Sequence, residues 1–292
     1  MKPAAFTYHR SYDVTETVEL LTELGDDAKV LAGGQSLVPM MNFRLARPGA
    51  LVDITRVPGL SYLRRDDAGL HVGALTTHRE VETATGPDVR DGFDVLRRAA
   101  RWIGHYPIRC RGTFGGSLAH GDPTAEWCLL AVLLDAQVAL TGPRGTREVP
   151  AREFLQGFFT TAAEPDELVT EVRFPRAAPH AAMTEFAQRQ GDFAIVAAAV
   201  SLTLDGGEVT DGRIVLGGVD PLPVVADVPL AGRPAALETW RAAGEEAARL
   251  IDPPSDGHGD AEYRRSLAAT LVARALAEAA GQSGPARDEA GR

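Results

Sequence analysis

Cysteine is nearly absent, with Cys110 and Cys128 the only two in 292 residues. Two thiols cannot build a disulfide framework, a four-cysteine zinc site or an iron–sulfur cluster. Long apolar runs are missing too. The longest, residues 128–134 and 194–200, fall far short of the roughly 20 residues a membrane-spanning helix needs, so no membrane span is expected. Residues 1–10 hold no apolar core of signal-peptide type, and the expectation is a cytoplasmic protein. Positive charge is short: 30 Lys and Arg against 40 Asp and Glu leave a net charge of −10. Nucleic acid and anionic membranes are bound by clustered Lys and Arg, so neither is an expected partner. The 7 histidines include no H-E-x-x-H and no i, i+4 pair, and no metal site is assigned.

Hydrophobic residues make up 45% of the chain and charged residues 24%, a globular balance that excludes disorder of the whole. The length suits two domains. Residues 12–24 carry Val14, Val18, Leu21 and Leu24 at helical spacing, with Asp13 or Thr15 as cap and Gly25 as stop. Residues 29–32 and 51–54 read as strands that complete a βαβ unit, and residues 70–74 alternate as a third. Helices are expected over 93–103 and 124–134, the second opened by Pro123 with Asp122 as its cap. Strands follow at 137–141 and 168–174, with a hairpin arm over 144–152. The Pro- and Ala-rich residues 175–179 read as a linker. Beyond it, 195–204 and 213–219, with a turn at Asp205-Gly206-Gly207, suggest a small sheet. Residues 236–250 and 261–280 suggest two helices packed on it, the second through Leu267, Leu271 and Leu276. The mixture points to an α+β fold.

The glycines are informative by position. Ala32-Gly33-Gly34-Gln35-Ser36-Leu37 follows a strand and precedes a potentially helical apolar stretch, 37–45. Paired glycines let backbone approach a ligand closely, and successive N–H groups can converge on an anion. The same residues also suit a tight turn that binds nothing. The segment is neither a Walker loop nor a G-x-G-x-x-G fingerprint. Arg111-Gly112-Thr113-Phe114-Gly115-Gly116-Ser117 repeats the pattern, and Gly121-Asp122-Pro123 and Glu126 follow. Two such loops in one domain suggest a pyrophosphate held from both sides, hence a dinucleotide. Glu126 either accepts hydrogen bonds from sugar hydroxyls or is an acid favourable at a helix N-terminus. Arg109 and Arg111 pair either with the diphosphate or with acids of the fold. Ser117 lacks the strand and the final glycine of a nucleophile elbow, and no catalytic residue is assigned. His120 reads as a hydrogen-bonded loop residue, Cys110 and Cys128 as core or loop residues, and Trp102, Trp127 and Trp240 as packing.

In this order and at these separations the motifs resemble the FAD-binding medium subunit of molybdenum hydroxylases, the group that contains aerobic carbon monoxide dehydrogenase and bacterial xanthine dehydrogenase. The resemblance covers roughly residues 1–285. It is carried by Ala32 to Pro39, by Ile108 to Ser117, by Gly121-Asp122-Pro123 with Glu126, by Phe186 to Ala194, and by Ser255-Asp256-Gly257 with Ala261-Glu262-Tyr263-Arg264. It implies a two-part FAD-binding domain of the vanillyl-alcohol-oxidase (PCMH) type at residues 1–177, with lobes of about 1–56 and 57–177. A small α+β C-terminal domain at 178–286 and a disordered tail at 287–292 would follow. It also implies a cofactor-binding set: Ala32, Gly33, Gly34, Gln35, Ser36 and Leu37 around the pyrophosphate; Thr113, Phe114, Gly115, Gly116 and Ser117 as the second loop; and Asp122, Glu126, Leu168, Arg189 and Phe193. Phe193 stands where the family tends to place an aromatic residue near the isoalloxazine ring. Some relatives carry Tyr there. Arg189 is the basic residue before the Gly191-Asp192 pair, where some relatives have Lys.

The role implied is that of an electron-transfer subunit. Substrate would be oxidised on a large molybdopterin subunit, and electrons would pass through the 2Fe–2S clusters of a small subunit to FAD on this chain and on to an external acceptor. The expected assembly is a dimer of heterotrimers. The alternatives are a stand-alone FAD-dependent oxidase or dehydrogenase, for which no positioned base is apparent, and a non-enzymatic FAD-binding module.

Overall fold

The computed structural model describes residues 2–282; the tail expected at 287–292 lies outside them. The chain begins with β1 (Thr7–Arg10), α1 (Val14–Leu24), β2 (Ala28–Leu31), α2 (Leu37–Asn42) and β3 (Ala50–Asp53). The strands pair in parallel in the order β1-β3-β2. The central strand of a covered parallel sheet has no solvent face, and all four residues of β3 are buried. Of the two expected caps, Asp13 serves α1, accepting from the Glu16 N–H at 2.8 Å. Gly25, at φ +59°, ends the helix.

A second lobe holds β4 (Leu63–Asp66), β5 (Gly69–Gly73), α3 (His78–Glu82), α4 (Pro87–Ala99), α5 (Tyr106–Arg109), α6 (Phe114–His120), α7 (Glu126–Leu133), β6 (Gln137–Gly142), β7 (Gly145–Pro150), α8 (Ala151–Phe154), β8 (Leu155–Gly157), β9 (Thr160–Thr161) and β10 (Leu168–Phe174). Its main sheet is antiparallel in the order β4-β5-β10-β6-β7. Every residue of α7 from Trp127 to Leu133 is buried, as a helix apolar on all sides requires. Four expectations are corrected here. The helix expected at 93–103 runs from Pro87 to Ala99 and is broken at Gly92, φ +95°. The Gly92 carbonyl freed by that break accepts from the Ala178 N–H at 2.7 Å, so residues 175–179 are anchored rather than a free linker. Asp122 does not cap α7: its carboxylate takes the Thr124 N–H at 2.8 Å and hydroxyl at 2.7 Å, forming a turn of its own. Trp127 and Trp240 are core residues, but Trp102 is 38% exposed.

The third lobe is β11 (His180–Phe186), β12 (Val196–Asp205), β13 (Glu208–Gly217), β14 (Val224–Ala226), α9 (Leu237–Arg249) and α10 (Ala261–Ala279), the strands pairing antiparallel in chain order. Gly206 and Gly207, at φ +55° and +89°, make the two-residue hairpin whose backbone twist suits the flanking strands. The β12 residues alternate between two cores. Ala197 and Ala199 pack with α7, while Ala198 and Val200 pack with Trp240 and Leu271 of the C-terminal helices. The sheet is thus buried on both faces and fixes the third lobe to the second. No helix among the described residues is long and apolar enough to cross a membrane.

Candidate functional site

A cavity of about 580 Å³ opens where the three lobes meet, within the roughly 300–1,000 Å³ of small-molecule and cofactor sites. One wall is the segment leaving β2. Gly33 has no room for a side chain: a Cβ there would lie 2.1 Å from the Arg111 carbonyl oxygen and 2.8 Å from Gly112 Cα. Gly34 sits at φ +70°. Its carbonyl accepts from the Val38 N–H at 3.0 Å, and the Gln35 amide donates to the Gly33 carbonyl at 2.9 Å. Among the described residues, the N–H groups of Gly33, Gly34, Gln35, Ser36 and Leu37 have no acceptor. Ala32 and these five residues line the cavity. A run of unspent donors on a glycine turn is the backbone chemistry of an anion cradle.

The adjoining wall corrects the expectation of a second loop. Residues 114–120 are helical, as α6, and Thr113 is the N-cap. The Thr113 hydroxyl accepts from Gly116 N–H at 3.2 Å. Phe114 N–H donates to Thr76, Gly115 N–H to Ala74 and Ser117 N–H to Thr113, at 2.9, 2.9 and 3.0 Å. The donors of this segment are therefore spent on the fold. Gly115 is needed for packing, since a Cβ would come within 2.6 Å of Ala74 Cβ. Phe114 points away from the cavity and stacks on Trp127 with ring centroids 4.6 Å apart. Thr113, Gly115, Gly116 and Ser117 line the cavity, to which this wall offers the bare Gly116 surface and the Ser117 hydroxyl. Arg109 pairs with Glu82 at 3.0 Å and donates to the Ile103 and Gly104 carbonyls, so it serves the fold.

Asp122, Glu126 and Leu168 also line the cavity. Burial, then the charge of Glu185 and Asp122, holds the Glu126 carboxyl well above the ordinary range. Burial lifts Glu185 to about 7, and among the described residues its Oε2 is buried without a partner. Hydroxyl groups donating to Glu126 would favour its charged form and reverse this shift. Phe193, 69% exposed, stands in the lining with residues 191–194. Arg189 is exposed and lies outside the lining. His120 lines the cavity with its ring 4.6 Å from that of Phe159, and burial lowers its pKa.

Among the lining residues that the sequence did not single out, His78 stands out. It is buried, accepts the Trp127 Nε1–H at 2.9 Å through Nδ1 and lies against Gly112. Burial, with Arg109 nearby, lowers its pKa to about 4. It is neutral at pH 7 and carries its proton on Nε2. The one local sign was Thr77 with Glu80, a capping box that starts a helix at His78.

The donor set and the glycine cradle fit a diphosphate-bearing cofactor: an anion there would meet neutral N–H groups. Comparisons with known proteins agree with this chemistry. Residues 4–177 match the family described as the FAD binding domain in molybdopterin dehydrogenase. Residues 181–279 match the CO dehydrogenase flavoprotein C-terminal domain. The 6-hydroxypseudooxynicotine dehydrogenase complex subunit alpha of Paenarthrobacter nicotinovorans is 41% identical over 99% of both chains. The carbon monoxide dehydrogenase medium chain of Hydrogenophaga pseudoflava is 36% identical over 94% of this chain and 97% of its own. Among solved structures, quinoline 2-oxidoreductase from Pseudomonas putida 86 superposes with a TM-score of 0.92 at 36% identity, covering 97% of this chain and 99% of that one.

Proposed function

Since the chain belongs to the family of FAD-binding domains of molybdopterin dehydrogenases, with medium chains of carbon monoxide dehydrogenase among its homologues, we propose that it is the FAD-carrying electron-transfer subunit of a cytoplasmic molybdenum hydroxylase. Its partners are a large molybdopterin subunit and a small subunit with 2Fe–2S clusters, assembled as a dimer of heterotrimers. The observation that carries the reading is the row of five unspent N–H groups on residues 33–37, which line the cavity where the three lobes meet.

Residues 32–37 hold the diphosphate through backbone donors. Ser117 adds a hydroxyl donor from the α6 side. Glu126 accepts from hydroxyls of the sugar or ribityl chain, and Phe193 covers the ring end at the mouth. Leu168 supplies apolar wall. Bound FAD supplies the capacity to store two electrons and exchange them singly, which links one-electron donors to a two-electron acceptor. The chain's part is to bind, orient and shield the cofactor, and no residue acts as acid or base on the substrate of the complex. In domain terms, the two lobes within residues 1–177 bind the cofactor, and residues 191–194 of the C-terminal domain add to the cavity wall.

The test is an absorption spectrum and a particle size for the protein purified from its own host. Flavin, iron–sulfur and molybdenum in one particle much larger than a 31.0 kDa chain are expected. A flavin-containing particle of this chain alone would point to a stand-alone flavoenzyme. Colourless protein that takes up no added FAD would sink the assignment.

A further inference from the structure

The C-terminal pair of motifs, Ser255-Asp256-Gly257 and Ala261-Glu262-Tyr263-Arg264, lines no part of the cavity. It nevertheless reaches the segment that carries Phe193. That segment, residues 187–194, is a loop between β11 and β12. Its two ends meet at one hydrogen bond, from the Ile195 N–H to the Phe186 carbonyl at 2.8 Å. Both ends are held from the first turn of α10. Tyr263 packs edge-on against the Phe186 ring, with centroids 6.3 Å apart. Arg264, 5% exposed, places Nη1 2.6 Å from the Ile195 carbonyl and 2.7 Å from that of Gly218. Its Nη2 pairs with Asp256 Oδ2 at 2.7 Å, which holds that carboxyl below its ordinary range. Gly218, φ +78°, leaves the Ile195 carbonyl in place, because a Cβ there would fall 2.3 Å from it.

A buried guanidinium is costly unless its donors are used; both terminal nitrogens of Arg264 are used, while its buried Nε has no partner among the described residues. The planar fork reaches two carbonyls from one nitrogen and a carboxylate from the other, a spread that the single nitrogen of a lysine lacks. Within the loop Gly191 packs closely on His105, where a Cβ would lie 2.7 Å from the ring. Among the described residues, the backbone bond within this segment runs from the Asp192 N–H to the Arg189 carbonyl, at 3.1 Å. Phe193 itself is exposed and outside any strand. Where its ring stands is therefore set by the ends.

We propose that Arg264, oriented by Asp256, is a positioning residue for the cofactor site: it clamps the Ile195 carbonyl and so fixes Phe193 at the mouth of the cavity. The C-terminal domain thereby tunes the flavin end of a site whose phosphate end lies in the first lobe. The inference rests on the reading that this cavity holds FAD.

The experiment uses the full chain, with and without FAD. Arg264→Lys keeps the charge and loses the fork, Asp256→Asn keeps Arg264 and loosens it, and Phe193→Ala is the reference. Hydrogen exchange at the amides of Asp192 and Ile195 is expected to quicken about tenfold in Arg264→Lys and less in Asp256→Asn, while the amides of α9 keep their wild-type rates. The visible circular dichroism of bound flavin is expected to move toward that of Phe193→Ala, and adding Arg264→Lys to Phe193→Ala to change it no further. Wild-type exchange in the loop for both clamp variants, or flavin signals that simply add, would overturn the proposal. Should Arg264→Lys not fold, Asp256→Asn decides by the same two readings. Wild-type protein that binds no FAD would defeat the reading of the cavity, and the exchange rates would still decide the clamp.

Discussion

Residues 32–37 and 113–117 look alike as sequences: each has a glycine pair followed within two residues by serine. In the folded chain they do opposite things with their backbone. At 33–37 the N–H groups have no acceptor among the described residues. At 114–117 each N–H is taken, by Thr76, Ala74, and the hydroxyl and carbonyl of Thr113. The glycines differ accordingly. Gly33 lets this segment touch the backbone of residues 111 and 112, whereas Gly115 lets α6 lie on Ala74. A glycine pair shows that backbone comes close to something. Whether that is a ligand or the protein itself depends on where the donors go.

The largest expected effect separates the two. Gly33→Ala drives a methyl to 2.1 Å from the Arg111 carbonyl oxygen and must push the donor row away from its wall. FAD affinity should fall at least about a hundredfold, near 3 kcal/mol, measured by quenching of flavin fluorescence. Gly115→Ala meets Ala74 in the core instead, so the expected loss is stability, roughly 1–3 kcal/mol, with affinity falling only as folding does. Equal losses of affinity at equal stability would erase the distinction.

The acids on the α7 side sharpen it. Burial raises both Glu126 and Glu185, the latter to about 7 from an ordinary 4.5. The folded chain therefore binds protons that the unfolded chain has released across that interval. Stability is fully present below about pH 4.5 and is lost as pH rises through about 7. Glu185→Gln removes one of the two charges with little change of shape. Urea unfolding of the FAD-free chain at pH 8 should then show a gain of roughly 1–3 kcal/mol, with little gain at pH 5. An unchanged slope of stability against pH would remove the acid pair from the account.

Much of this was legible in the sequence, and the misses have a common cause. Periodicity located α1, β10 and α10 because each has one buried and one wet face, or a clear stop such as Pro175. The cavity-lining turn at 32–37 was legible because its glycines follow a strand. The helical state of 114–120 was not. Glycine is a poor helix former, and α6 exists because Thr113 caps it and Phe114 and Leu118 are buried beneath it. That is tertiary packing overriding local preference. Asp122 looked like a cap, and Thr124 takes its carboxylate first. The role of His78 depends on Trp127, far along the chain, and no local pattern announces such a pair. The alanines of β12 conceal a second core that becomes visible only when α7 is seen against them.

Smaller effects are expected where each segment uses a hydroxyl. Thr113→Ala removes the α6 cap and should cost about 1 kcal/mol of stability, with affinity nearly unchanged. Ser117→Ala leaves the helix intact and removes the side-chain donor on that wall. The cost should be about 1 kcal/mol of FAD affinity, near fivefold, with an unaltered melting temperature. If the two variants exchanged signatures, Thr113 would be the ligand-facing hydroxyl and Ser117 the structural one.

The smallest expected effect concerns Arg189. Its position before Gly191-Asp192 gives it a place near a reduced flavin by resemblance, yet it is exposed and outside the cavity lining. Within the loop it contributes a carbonyl to the Asp192 N–H, which any residue supplies. An exposed charge in water acts weakly at a distance, and salt screens it further. Arg189→Ala should therefore change FAD affinity less than about twofold, under 0.5 kcal/mol, and leave the flavin midpoint potential at its wild-type value at moderate ionic strength. A marked fall in potential on losing this cation, strongest at low salt, would mean that the loop folds inward when the cofactor is bound. The charge missing from the donor row at 33–37 would then be supplied from the opposite end of the site.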